Sequence, residues 1–210
     1  MAASNVVVVM DFDKTILDCD SDNWVVDKLG ATELFNELLP TIVVVVVFTK
    51  YIFHDRMMKE LHIQGTKIED IVAVLKRTPI HPRIIQAIKS AHALGCDLKI
   101  VSDANVFFID TILKHHGLKE CFSEINTNPS FGIVIEKIQI SLFAVEEKKT
   151  IIYMGDGLGD FCPSLKLGDG DYMLPRKDFP IWDLLYSDYK IQTMPGSSNQ
   201  PFFHTLYVPL

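Results

Sequence analysis

The sequence predicts an α/β fold: a doubly wound, mostly parallel sheet with a small helical cap inserted after the first strand. Three observations carry that expectation. Continuous apolar runs occur at Val6 to Met10, Leu98 to Val101 and Ile151 to Met154, and unbroken rather than alternating apolarity marks strands covered by helices on both faces. Each run breaks into a polar loop, DFDKT, SDAN and GDGLGD in turn, and in doubly wound sheets such loops gather at the carboxyl ends of the strands, where sites form. Between the runs lie amphipathic helical patterns over Arg83 to Leu94, Val106 to Lys114 and Ile133 to Phe143, with Gly95 and Gly117 as helix stops.

Taken in chain order, the first strand is followed from Asp18 to Pro82 by helical pattern without strong strands. A helix is expected over Asp22 to Leu29, and Thr66 with Glu69 reads as a capping box ahead of Ile71, Val72 and Leu75. The expected division is a core of residues 1–20 and 80–192, a helical cap of residues 21–79, and an irregular tail of residues 193–210. Val43 to Val47 is a β-prone run in otherwise helical surroundings, and the tail has no periodicity. Neither segment has a functional reading.

Composition excludes several classes. At 210 residues and 48% hydrophobic content the chain can bury a sizeable core. A net charge of −7 disfavours nucleic acid and anionic membranes, which need clustered Lys and Arg to neutralise phosphates. The apolar run Ile42 to Phe48 is far shorter than the roughly 20 residues of a membrane-spanning helix. Cys19, Cys96, Cys121 and Cys162 are scattered without paired spacing, which fits reduced thiols, mostly in the core, of a cytoplasmic protein. The sequence is silent on oligomeric state.

The chemistry lies in the three loops. Asp11 and Asp13 are two residues apart at a strand end, so their side chains leave on the same side and share a site. Mg²⁺, a hard ion that takes oxygen ligands and one or two carboxylates, would relieve their repulsion. Thr15 adds a hydroxyl. Asp156 follows a strand directly and Asp160 lies four residues on, among glycines that let the backbone turn tightly; a glycine turn with helix-capping aspartates would look the same. Ser102 offers a strand-end hydroxyl for a phosphoryl oxygen, and Asn105 reads as the cap of the next helix.

The order of these elements, Asp-x-Asp-x-Thr, a strand-end Ser, then Gly-Asp-Gly-x-x-Asp, resembles the haloacid dehalogenase (HAD) superfamily of phosphohydrolases. Over residues 5–190, the segments MDFDKTILDCDSDNWVV, IVSDAN, GDGLGDFCPSLKL and MLPRKDFPIWDLL are closer still to the phosphoethanolamine/phosphocholine phosphatase family, with its plant inorganic pyrophosphatase-like members. The resemblance implies Asp11 as nucleophile and Asp13 as general acid and base. It implies Asp11, Asp156, Asp160 and the carbonyl of Asp13 around Mg²⁺, with Thr15 and Ser102 on the phosphoryl oxygens. Asp22 and Asp103 match positions facing the leaving group of a small phosphorylated substrate. Such a carboxylate pair favours an ammonium over a second phosphate; the other reading makes Asp22 the cap of the first cap helix.

One segment departs from that family. Where its members carry a lysine in a CPxNMCKG-like loop, this chain reads NPSFGIVIEKIQIS, with Phe131 at the lysine's place and Lys137 as the nearest substitute. Loss of that cation implies the alternative of a phosphate- and metal-binding protein with impaired turnover.

Overall fold

The computed structural model describes residues 5–38, 49–127, 135 and 149–191. The Val43 to Val47 run, Phe131, Lys137, most of the helix expected over Ile133 to Phe143, and the tail lie outside the described residues.

Five strands form one sheet in the order β3-β2-β1-β4-β5: β1 is Val6–Met10, β2 Asp97–Ser102, β3 Phe122–Thr127, β4 Thr150–Gly155 and β5 Tyr172–Pro175. Every pairing among them is parallel. β1 is central, and its unbroken apolarity follows from its two covered faces. Val7 and Val9 pack with Val101, Ile151, Tyr153, Met173 and Ile181 on one side. Val8 and Met10 pack on the other with Leu98, Ile100, Phe108, Ile109 and Ile112. Each such fully buried side chain contributes roughly 1.5–3 kcal/mol. β3 and β5 escaped the sequence reading because they are edges: on β3 only Phe122 is buried, while Ser123 and Glu124 are exposed. β5 is four residues long and ends in proline, which an edge tolerates.

Register fixes where the loops emerge. Met10 lies beside Ile100 on β2 and Met154 on β4, so the chain leaves all three strands along one edge.

The described residues between 21 and 75 supply four helices: α1 Ser21–Lys28, α2 Thr32–Leu38, α3 Thr49–Ile63 and α4 Ile68–Leu75. Val26, Ala31, Met57 and Leu61 give them a small core of their own. Two capping expectations are corrected. α4 starts one residue later than the Thr66–Glu69 pattern predicts: Lys67 is the N-cap, and Asp70 rather than Glu69 reaches back, accepting from the Lys67 N–H at 2.9 Å. Thr66 is taken by the end of α3, its N–H donating to the Leu61 carbonyl at 3.0 Å after Gly65 turns through φ +93°. At α1 the cap is Asp20, whose carboxylate accepts from the N–H groups of Asp22 and Asn23, both at 3.1 Å; Asp22 is in the first turn.

Further helices among the described residues include α5 Pro82–Ala93, α6 Val106–His115, α7 Phe161–Ser164 and α8 Pro180–Ile191. α5 and α6 match the sequence expectation, with Gly95 and Gly117 at positive φ just beyond them. Asn105 caps α6, accepting from the Phe107 N–H at 2.8 Å. The cysteines are less buried than expected: Cys19, Cys96 and Cys121 are half-buried at the margin of the core and Cys162 is exposed, all as free thiols. No described helix is long and apolar enough to cross a membrane.

Candidate active site

The first loop is held rigid by its own apolar residues. Phe12, Ile16 and Leu17 are buried, and the N–H groups of Ile16 and Leu17 both donate to the Phe12 carbonyl, at 2.9 and 3.0 Å. Lys14 turns the chain through φ +57°. The polar residues interleaved with these anchors are thereby aimed along the sheet edge. The Asp11 N–H donates to the Met154 carbonyl at 2.9 Å, which prolongs the β1–β4 ladder by one residue. The buried Asp13 carboxylate accepts from the Ser21 N–H at 3.0 Å, tying the loop to the start of α1.

Asp156 leaves β4 beside Asp11. Thr15 Oγ1 donates to Asp156 Oδ1 at 3.2 Å across a sequence gap of 141 residues. Asp160 folds back beneath the loop: its Oδ2 accepts from the N–H groups of Asp156 and Gly157, at 3.1 and 2.8 Å. Its Oδ1 accepts from the Tyr153 hydroxyl at 2.6 Å. Ser102, fully buried at the end of β2, accepts from the Ala104 N–H at 3.2 Å, and its hydroxyl is close enough to the Asp11 carboxyl to favour the charged form.

Carboxylate oxygens of Asp11, Asp156 and Asp160 thus lie within 4.8 Å of one another. Burial, and then the charge of Asp160, push the Asp11 carboxyl well above its ordinary range. Burial raises Asp156 as well, and raises Asp160 to about 6. Three desolvated carboxylates at this distance repel one another and call for a cation among them. Their all-oxygen donor set fits a hard divalent ion.

Of the residues singled out in the sequence, Asp11, Thr15, Ser102, Asp156 and Asp160 meet in one cluster. The Asp13 side chain is directed to Ser21 and is not one of the three clustered carboxylates. Asp22 is half-buried in the first turn of α1, next to the residue whose amide holds Asp13, and Asp103 is exposed directly after Ser102. Tyr153 was missed, because in the run IIYM it reads as one more buried strand residue. Its phenol is pushed well above its ordinary range by burial and then by the Asp160 charge, so it stays a donor. Tyr153→Phe is expected to weaken the apparent affinity for a divalent cation by about 10–100-fold, as removing the support of a ligand does. Thermal melts titrated with metal, set against melts in EDTA, read that change.

A parallel sheet of this order, with helices on both faces, is the fold of the HAD hydrolases. The solved phospho-aspartyl intermediate analogue of phosphoserine phosphatase shares the fold, with a TM-score of 0.56 at 16% identity, covering 90% of this chain and 99% of that one. The chain belongs to the HAD phosphatases: the family described as "Putative Phosphatase" matches residues 6–132 and 131–195. It is 51% identical to "Inorganic pyrophosphatase 2" of Arabidopsis thaliana, over 87% of this chain and 74% of that protein. It is 26% identical to "Phosphoethanolamine/phosphocholine phosphatase" of Gallus gallus, over 91% of this chain and 80% of that protein.

Proposed function

We propose that this phosphatase hydrolyses small phosphorylated metabolites, either pyrophosphate or phosphoethanolamine and phosphocholine, with Mg²⁺ and through an aspartyl-phosphate on Asp11. The observation that carries this reading is the meeting of Asp11, Asp156 and Asp160 within 4.8 Å, flanked by the hydroxyls of Thr15 and Ser102. Asp11, Asp156 and the Asp13 carbonyl would hold the ion, and Asp160 would support them. Bound there, Mg²⁺ supplies charge neutralisation to the nucleophile and to the phosphoryl oxygens.

An Asp11 oxygen attacks phosphorus as the bond to the leaving oxygen breaks, and Asp13, protonated at the start, gives its proton to that oxygen. Asp13 then takes a proton from water. The water oxygen attacks the same phosphorus, phosphate leaves, and Asp11 is restored. The Ser21 amide on Asp13 keeps the acid oriented between the two steps. Thr15 and Ser102 donate to the phosphoryl oxygens, where stabilisation of developing charge counts most.

Two features favour different leaving groups. Asp22 and Asp103 suit an ammonium, whereas the relative at 51% identity carries the name of a pyrophosphatase. Phosphate release from phosphoethanolamine, phosphocholine and pyrophosphate, with Mg²⁺ or EDTA, tests both. Asp103→Ala is expected to lower kcat/KM for phosphoethanolamine roughly threefold to fivefold more than for pyrophosphate, the scale of one exposed ion pair. Equal losses would remove the ammonium preference. Absent turnover, with Mg²⁺ still raising the Tm, would favour the binding-protein reading that Phe131 raises. The free thiols support a reducing, cytoplasmic setting.

A further inference from the structure

Arg176 joins the two halves of the acidic site from outside it. It follows the last residue of β5, and its N–H donates to the Gly155 carbonyl at 2.8 Å, so its backbone is fixed to the strand end that presents Asp156. Its guanidinium reaches the first loop. Nη1 donates to the carbonyls of Lys14 and, at 3.1 Å, Leu17, and Nη2 donates to Asp18 Oδ1 at 3.1 Å. The Phe179 ring lies 4.4 Å beneath it. Both carbonyls belong to the turn that carries Asp13 and Thr15, where Lys14 holds a positive φ. A planar fork serves several acceptors in a fixed geometry, whereas an ammonium acts as a point charge.

We infer that Arg176 is a positioning residue: by clamping the Lys14 and Leu17 carbonyls to the end of β4, it sets the placement of Asp13 and Thr15 against Asp11 and Asp156. Its guanidinium bonds go to the loop. The inference rests on the proposed phosphatase chemistry for its catalytic effect and on the hydrogen bonds alone for the clamp itself.

The test measures steady-state kinetics and amide hydrogen exchange of the whole chain for the wild type, Arg176→Ala and Arg176→Lys. A displaced acid and a displaced phosphoryl donor, both acting mainly in the transition state, predict that kcat of Arg176→Ala falls about 10²-fold, with a smaller rise in KM. Arg176→Lys keeps the charge and is expected to recover only a small part of that loss. Millimolar guanidinium is expected to raise kcat of Arg176→Ala while leaving the wild type unchanged, which a general loss of stability would not produce. In exchange, the Ile16 and Leu17 amides are expected to lose protection in Arg176→Ala, with β2 and α6 unaffected. Unchanged kcat in Arg176→Ala, or full recovery by Arg176→Lys, would overturn the catalytic part. Unchanged exchange over residues 11–18 would overturn the clamp. A wild type without turnover would count against the phosphatase reading, and exchange would still decide the clamp.

Discussion

Asp11→Asn is expected to reduce phosphate release by about 10³-fold or more while leaving the fold intact. An amide is a poor nucleophile and cannot form the acyl phosphate, so the reaction loses its covalent route rather than a supporting contact. The same change should raise stability without metal. The Asp11 carboxyl is desolvated and faces Asp160 and Asp156; an isosteric neutral group removes that repulsion, and about 1 kcal/mol is worth roughly 2–4 °C in Tm for a chain of this size. With Mg²⁺ the order should reverse, because the wild type alone keeps all three carboxylates. Melting curves of both proteins in EDTA and in Mg²⁺, beside the phosphate assay, check the two effects together. A variant less stable than wild type in EDTA would contradict the repulsion argument.

The second large effect is expected at Gly155, through space rather than backbone freedom. A Cβ there would stand 2.3 Å from Asp160 Cγ, 2.6 Å from its Oδ2 and 2.7 Å from its Cβ, inside any distance that real Cβ atoms tolerate. Gly155→Ala must therefore push Asp160 out from beneath the loop. That breaks its bonds to the N–H groups of Asp156 and Gly157 and to the Tyr153 hydroxyl, leaving buried donors without their acceptor. Overpacking and lost hydrogen bonds together cost about 2–4 kcal/mol, and displacement of Asp156 should lower kcat about 10²-fold. Gly159→Ala is the matched control, since nothing lies within 4 Å of its added Cβ. It is expected to retain most of the activity and Tm. Similar losses in both variants would show that loop flexibility, not the seat of Asp160, is what the glycines provide.

The parts legible in the sequence were those whose residues answer to one neighbourhood only. β1, β2 and β4 announce themselves because both their faces are covered; β3 and β5 do not, because an edge strand such as FSEINT mixes exposed and buried residues as a loop does. The acidic site was legible through the order of three loops on strand ends. Tyr153 was not, since its hydroxyl serves Asp160 from within an apolar run. Arg176 carries no mark of its own within the family-like segment MLPRKDFPIWDLL: the two acceptors that make the clamp are main-chain carbonyls 162 and 159 residues away, and carbonyls leave no mark in side-chain pattern. The cap at Asn105 was legible, whereas two others lay a residue or two away: α3 claims Thr66, and Asp20 rather than Asp22 caps α1.

The most direct test of the central claim is acid-quenched peptide mapping of the enzyme during turnover with Mg²⁺. A phosphoryl group is expected on the peptide that contains Asp11, acid-stable, hydroxylamine-labile and missing in Asp11→Asn. Sustained phosphate release with that peptide unmodified, or with the phosphoryl group on another residue, would contradict the claim.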